Sequence, residues 1–97
     1  MDVIRFQWDC AKNAANLRKH KVSFEEARTV FIDEDAVQFF DESHSGEEDR
    51  LLMLGLSSHL RLLMVVHTYR EKDSVIRIIS AREATASERR HYKGKKP

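Results

Sequence analysis

Three apolar runs separated by only a few residues most constrain what this chain can fold into: "LLMLGLS" (51–57), "RLLMVVHTY" (61–69) and "SVIRIIS" (74–80). The connections between them, "SHL" and "REKD", are far too short for a crossover helix. Strands joined so tightly pair antiparallel, so the runs predict a three-stranded meander. Their near-continuous apolar character predicts that both faces are largely covered, or that one face meets a partner.

The flanking segments supply the covering layers. "IRFQW" (4–8) alternates apolar and polar and reads as a short first strand. Asp9 then caps a helix over "CAKNAANLRKH", in which Cys10, Ala14 and Leu17 recur at helical spacing. Ser23 and Glu26 have the spacing of a capping box, and Val22 with Ala27 that of a hydrophobic staple. They open a second helix, with Phe24, Ala27 and Phe31 as its apolar stripe. "AVQFF" (36–40) suits a short strand, and an acidic loop follows to Arg50. Thr85 and Glu88 make a second capping box, for a helix predicted to run to about Lys93 with Gly94 just past its end. The order β-α-α-β-β-β-β-α predicts an α+β fold, an antiparallel sheet with an N-terminal helical hairpin and a C-terminal helix.

At 97 residues the chain has room for one core, so residues 1–97 are expected to form a single domain. No apolar run approaches the roughly 20 residues that span a bilayer. The start, "MDVIRFQWDC", lacks a basic flank leading into an apolar stretch, and Cys10 is the only cysteine. These features fit a cytoplasmic protein with no membrane partner. The net charge of +1 conceals segregation. Residues 25–50 hold two Lys/Arg against ten Asp/Glu, whereas residues 77–97 hold seven against two. Basic ends of this kind suit a polyanion.

Several chemistries find no support. The histidines, at 20, 44, 59, 67 and 91, are never paired at helical ligand spacing, so no structural zinc site is expected. The acidic loop "DESHSGEED" lacks the ordered ligand spacing of a calcium loop. Three glycines make no phosphate loop, and no serine sits in a nucleophile elbow. Neither a metal nor an organic cofactor is implied.

What remains is a basic constellation. Arg61 opens one long strand, His67 lies near its far end, and Arg77 interrupts the next apolar run. Arg82 follows, and Arg89, Arg90, Tyr92 and Lys93 lie on the last helix. A three-residue turn places His67 opposite Arg77, and a turn one residue different places Thr68 there instead. The first register is preferred because it gathers the polar groups. An unpaired charge is too costly to bury. Arg77 therefore either pairs with a carboxylate such as Glu88 or Asp41 or lines a groove.

"FQWDCAKNAANLRKHKVSFEEARTVF", "DESHSGEEDR" and above all "IRIISAREATASERRHY" resemble the BrnT family of bacterial type II toxin–antitoxin toxins, over Phe6 to Tyr92. That resemblance implies a compact relative of the RelE ribonuclease fold that cleaves RNA and arrests growth by blocking translation. It also implies a ribbon-helix-helix, BrnA-like antitoxin as partner, expected as a symmetric heterotetramer. The joint complex would bind operator DNA through the antitoxin.

Metal-free RNA cleavage needs a proton acceptor for the 2′-OH, a proton donor for the leaving oxygen, and positive charge at phosphorus. Arginine suits the last role, because its planar fork meets two phosphate oxygens. The expected catalytic set is therefore Arg77, Arg82, His67 and Tyr92, with Arg61, Arg89, Arg90 and Lys93 as RNA contacts. A non-catalytic co-repressor that holds DNA phosphates is the alternative. A helix-turn-helix over residues 9–31 is disfavoured, since its second helix is too acidic to enter a groove.

Overall fold

The computed structural model describes residues 4–41 and 49–97. Strand β1 (Arg5–Gln7) leads into helix α1 (Cys10–His20) and the short helix α2 (Phe24–Arg28). A 3-10 turn (Thr29–Ile32) precedes β2 (Val37–Phe40), β3 (Leu51–Leu56), β4 (Leu62–Arg70) and β5 (Val75–Glu83), and α3 (Ala86–Arg89) closes the order. The five strands form one sheet in the order β1-β5-β4-β3-β2. β2 to β5 are antiparallel, as expected, while β1 pairs parallel with β5. The α+β fold stands, with a mixed sheet in place of a wholly antiparallel one.

Helix α1 starts where Asp9 accepts hydrogen bonds from the Ala11 and Lys12 N–H groups, at 2.8 and 3.1 Å. It ends at Lys21, whose left-handed backbone (φ 61°) returns its N–H to the Leu17 carbonyl. Its apolar residues do not form the buried stripe: Cys10 and Ala14 are exposed and Leu17 is 48% exposed. The buried residue is Asn16. β1 stops at Gln7, opposite Arg77, and leaves the rest of the β5 edge without a strand partner. Asn16 fills the gap with one amide, donating to the Ala81 carbonyl (2.8 Å) and accepting from the Ala81 N–H (3.1 Å).

Ser23 caps α2 by accepting from the Glu26 N–H at 3.0 Å. The reciprocal half of the expected capping box is absent, because the Glu26 carboxylate turns inward to Ser57 and Arg61. Val22, Phe24, Ala27 and Val30 pack on Leu63, Val65, Ile78 and Ala81 to make the main core. Truncating Phe24 to alanine there costs about 3–5 kcal/mol. Gly55 lets β3 pass under this layer, since a Cβ would meet Val30 Cγ1 at 2.7 Å.

The opposite face carries a second cluster, Leu54, Leu62, Met64 and Tyr92, with Phe39, Leu52, Leu56 and Ala84 against it. It is covered by the C-terminal segment. The capping box there is complete: Thr85 accepts from the Glu88 N–H, and the Glu88 carboxylate accepts from the Thr85 N–H. The helix nevertheless ends at Arg89 rather than near Lys93. Tyr92 is drawn down onto the sheet, where its hydroxyl donates to Asp33 Oδ2 at 2.6 Å. Gly94 does not adopt the left-handed cap expected of it, having no positive φ. Its lack of a side chain serves close packing instead, since a Cβ would sit 2.6 Å from the Tyr92 hydroxyl.

Candidate functional site

The register between β4 and β5 decides which polar groups share a face. The ladder runs Met64↔Arg82, Val65↔Ala81 and Val66↔Ser80, then His67↔Ile78 and Thr68↔Arg77. Ile79 is the unpaired extra residue of a β-bulge, and the expected pairing of His67 with Arg77 is corrected to Thr68 with Arg77. Side chains alternate across a strand. Thr68, Arg77, Met64 and Arg82 therefore face the C-terminal segment, and His67 points the other way.

Arg77 is half-buried and, among the described residues, carries a single side-chain hydrogen bond, from Nη1 to Gln7 Oε1 at 3.2 Å on the neighbouring strand. Neither Glu88 nor Asp41, the carboxylates weighed from sequence, is bonded to it. Its hydrogen-bond partner is neutral, and the Asp9 carboxylate is close enough for the two charges to interact. Directly opposite, Thr68 is 2% exposed, and its hydroxyl oxygen has no hydrogen-bond partner among the described residues.

His67 is fully buried behind the sheet. Its Nδ1 donates to the Val65 carbonyl at 3.1 Å, and Nε2 lies 3.0 Å from the Gln38 side-chain amide. The ring sits edge-on to Phe31 and Tyr69, at 4.8 and 5.5 Å between centroids. Burial pushes its pKa below the usual histidine value, outweighing the bond to Val65. The structure thus separates His67 from Arg77, and its ring is committed to the core.

Arg82 lies on the Arg77 face but is gripped by Glu88 through a two-pronged contact, 2.7 and 2.9 Å. That guanidinium pulls the Glu88 carboxyl down to about 2, against the opposing effect of burial. Tyr92 is 3% exposed. Burial first, then its bond to Asp33, pushes its phenol pKa up. Its hydroxyl docks the C-terminal segment on the fold.

Among the expected RNA contacts, Arg61 is committed to structure. It bonds both carboxylate oxygens of the buried Glu26 and donates from Nη2 to the Lys21 carbonyl at 3.0 Å. Ser57 and His59 complete the ring around Glu26, at 2.7 and 3.1 Å. Arg89 is half-buried, and Arg90 and Lys93 are exposed, so these three present cations beside the second cluster.

His91 is not among the site residues expected from the sequence. This exposed ring stands edge-to-face on Phe39, 5.8 Å between centroids, on the side of the sheet that carries Arg77 and Arg82. Its N–H bonds the Glu88 carbonyl at 3.0 Å, so the same turn orders His91 and the Arg82 partner. The "ERRHY" string carried the signal, but histidine beside two arginines gives no face until the turn is known.

Among the described residues, no group of three His, Cys, Asp or Glu side chains is gathered to hold a metal. The acidic loop considered from sequence lies mostly in residues 42–48, outside the described residues. No helix among the described residues is long and apolar enough to cross a membrane.

Comparison with known proteins adds two findings. A family profile described as "Ribonuclease toxin, BrnT, of type II toxin-antitoxin system" matches residues 8–88. The fold is similar to the 1.1 Å crystal structure of the Brucella abortus ribonuclease toxin BrnT, with a TM-score of 0.65 and 21% identity. The match covers 86% of this chain and 99% of that one. No curated protein sequence gives a significant match.

Proposed function

This chain belongs to the BrnT toxin family of type II toxin–antitoxin systems, and from that membership we propose that it is a ribonuclease toxin cleaving RNA on the sheet face that bears Arg77. The observation that carries the reading is Arg77 itself, a strand-borne guanidinium bonded to the neutral Gln7 amide. Such a group, held on a rigid sheet, meets phosphate charge with little reorganisation.

The reaction is a transesterification. The 2′-oxygen loses its proton and bonds to phosphorus, the bond to the 5′-oxygen breaks, and that oxygen takes up a proton. The products are a 2′,3′-cyclic phosphate and a free 5′-hydroxyl. Arg77 supplies charge at phosphorus, and Arg82, pre-oriented by Glu88, stands on the same face. His67 is sealed behind the sheet and His91 lies over Phe39 of β2, three strands from β5, so neither is assigned to proton transfer. Tyr92 holds the C-terminal turn, and Arg89, Arg90 and Lys93 extend the positive rim. Arginine charge takes the role a metal plays in other nucleases, so the proposal includes metal-independent cleavage in the cytosol and no cofactor.

The proposal extends to partners. A ribbon-helix-helix antitoxin would cover the basic face as a symmetric heterotetramer and carry the pair to operator DNA. A second reading, a co-repressor without catalysis, is favoured by one observation: His67, Tyr92 and Arg61 are all engaged in holding the fold. The test incubates antitoxin-free protein with RNA in chelator and in magnesium. Cleavage in both, leaving cyclic phosphate ends, supports the ribonuclease reading. Intact RNA in both supports the co-repressor, and cleavage only with magnesium removes the metal-free step.

A further inference from the structure

The seam between α1 and the free edge of β5 holds a groove of about 220 Å3, lined by Lys12, Ala15, Asn16, Lys19, His20, Ile79 and Ser80. No carboxylate lines it. Its shape follows from features already described. Asn16 pins α1 against Ala81 and closes the strand edge, and Ile79, the unpaired residue of the bulge, lines the groove beside the helix. Lys12 and Lys19 are seven residues apart, so they project from nearly the same side of α1, about 10.5 Å apart along its axis. The helix contributes Lys12, Arg18, Lys19 and His20 and contains no acidic residue.

Two of its lining residues, Ile79 and Ser80, follow Arg77 on β5 by two and three positions. The Asp9 carboxyl lies below its usual range, first through hydrogen bonds from the Lys12 and Ala11 N–H groups, and then through the nearby Lys12 and Arg77 charges. Lys12 and Arg77 both lie close enough to Asp9 for their charges to act on its carboxyl. Arg61, Arg82 and Arg5 are each held in an ion pair, with Glu26, Glu88 and Glu71. Lys12 and Lys19 take part in no ion pair among the described residues, and both are exposed.

We propose that the α1–β5 seam is a phosphate track for single-stranded RNA, in which Lys12 and Lys19 hold the backbone of the strand whose scissile phosphate lies at Arg77. The inference rests on the ribonuclease reading and adds the path of the substrate. Lysine ammoniums at a polar groove grip phosphates as point charges and read no base, so the track contributes affinity without sequence preference.

The test measures binding of a non-cleavable 2′-O-methyl RNA across a salt series, together with single-turnover cleavage of the ordinary RNA. It compares wild type, Lys12→Ala/Lys19→Ala, and a charge-matched control, Arg28→Ala/Lys72→Ala, whose side chains lie away from the groove. Melting curves confirm that each variant is folded. The track variant is expected to bind about tenfold more weakly at low salt, with a salt slope smaller by about 1.4, the loss of two single-strand phosphate contacts. Its cleavage rate at saturating RNA stays at the wild-type value, and the control binds as wild type does. Equal losses in track variant and control, or wild-type binding by the track variant, overturn the track while wild-type cleavage upholds the ribonuclease. Weaker antitoxin binding with unchanged RNA binding also overturns it and gives the seam to the protein partner. A wild-type protein that neither binds nor cuts RNA removes both proposals.

Discussion

Thr68 stands across the ladder from Arg77, and this pairing turns the neighbouring His67 into the core. The same bulge that sets the pairing leaves a guanidinium on the open side and a buried, neutral imidazole on the other. One register therefore separates the group proposed to meet phosphate from a group that only stabilises the fold.

His67 gives the first prediction. Its folded pKa lies below the ordinary value of 6.5, because burial disfavours the charged ring. The unfolded chain then binds the proton more readily, so the contribution of this group is complete above about pH 6.5 and is lost as pH falls below it. His67→Gln is expected to lose about 1–3 kcal/mol at neutral pH through its disturbed buried bonds. It is also expected to show a flatter decline of stability between about pH 7 and pH 5 than wild type. Urea titrations at several pH values give both numbers. Parallel wild-type and variant curves would show that His67 does not titrate in a buried site.

Glu26 and Arg61 give the second. The Glu26 side chain is 3% exposed and that of Arg61 27% exposed. Removing either leaves a poorly compensated charge, so Glu26→Ala and Arg61→Ala should each cost about 3 kcal/mol, the low end for a partner that keeps water contact. The double variant should cost much less than the sum. Additive losses in denaturant melts would show that the two side chains are not coupled.

The Arg82–Glu88 contact gives the third. Glu88→Gln keeps a side chain able to accept from the Thr85 N–H, so α3 should persist. It removes the charge that offsets Arg82, and RNA affinity should rise severalfold, more at low salt. The Glu88 carboxyl is pulled from 4.5 to about 2, chiefly by Arg82. Its contribution is therefore present above about pH 4.5 and lost as pH falls toward 2, and the variant should lack that acid-side loss. Unchanged or weaker RNA binding would take Arg82 out of the substrate surface.

What could be read from the sequence follows from how local each signal is. Asp9 and the following "CAKNAANLRKH" set α1 at its observed bounds, because a cap and a helical run are properties of adjacent residues. The meander was legible from two short connections. The parallel pairing of β1 was not, since a three-residue edge strand is placed by its neighbours. The register of Arg77 was lost to a bulge at Ile79, in a run of "IRIIS" with no glycine to mark it. Glu26 matched a capping box, yet its carboxylate answered Arg61, a residue 35 positions away. The C-terminal helix looked longer because the capping signal marks its start, while its end is set by Tyr92 reaching Asp33 across the fold. The candidate residues were thus found by type, and their faces were fixed only by tertiary contacts.

Arg77 tests the central claim most directly. Purified Arg77→Ala and Arg77→Lys proteins would be compared with wild type for single-turnover RNA cleavage, with thermal melts run on the same samples. Arg77 is half-buried and, among the described residues, bonded only to Gln7, so the alanine variant should melt close to wild type. Its cleavage rate should fall by at least about a hundredfold, as expected for loss of a charge acting at the transition state. Lysine should restore only part of the rate, because a point charge cannot meet two phosphate oxygens at once. A folded Arg77→Ala protein that cleaves RNA at the wild-type rate would contradict the account.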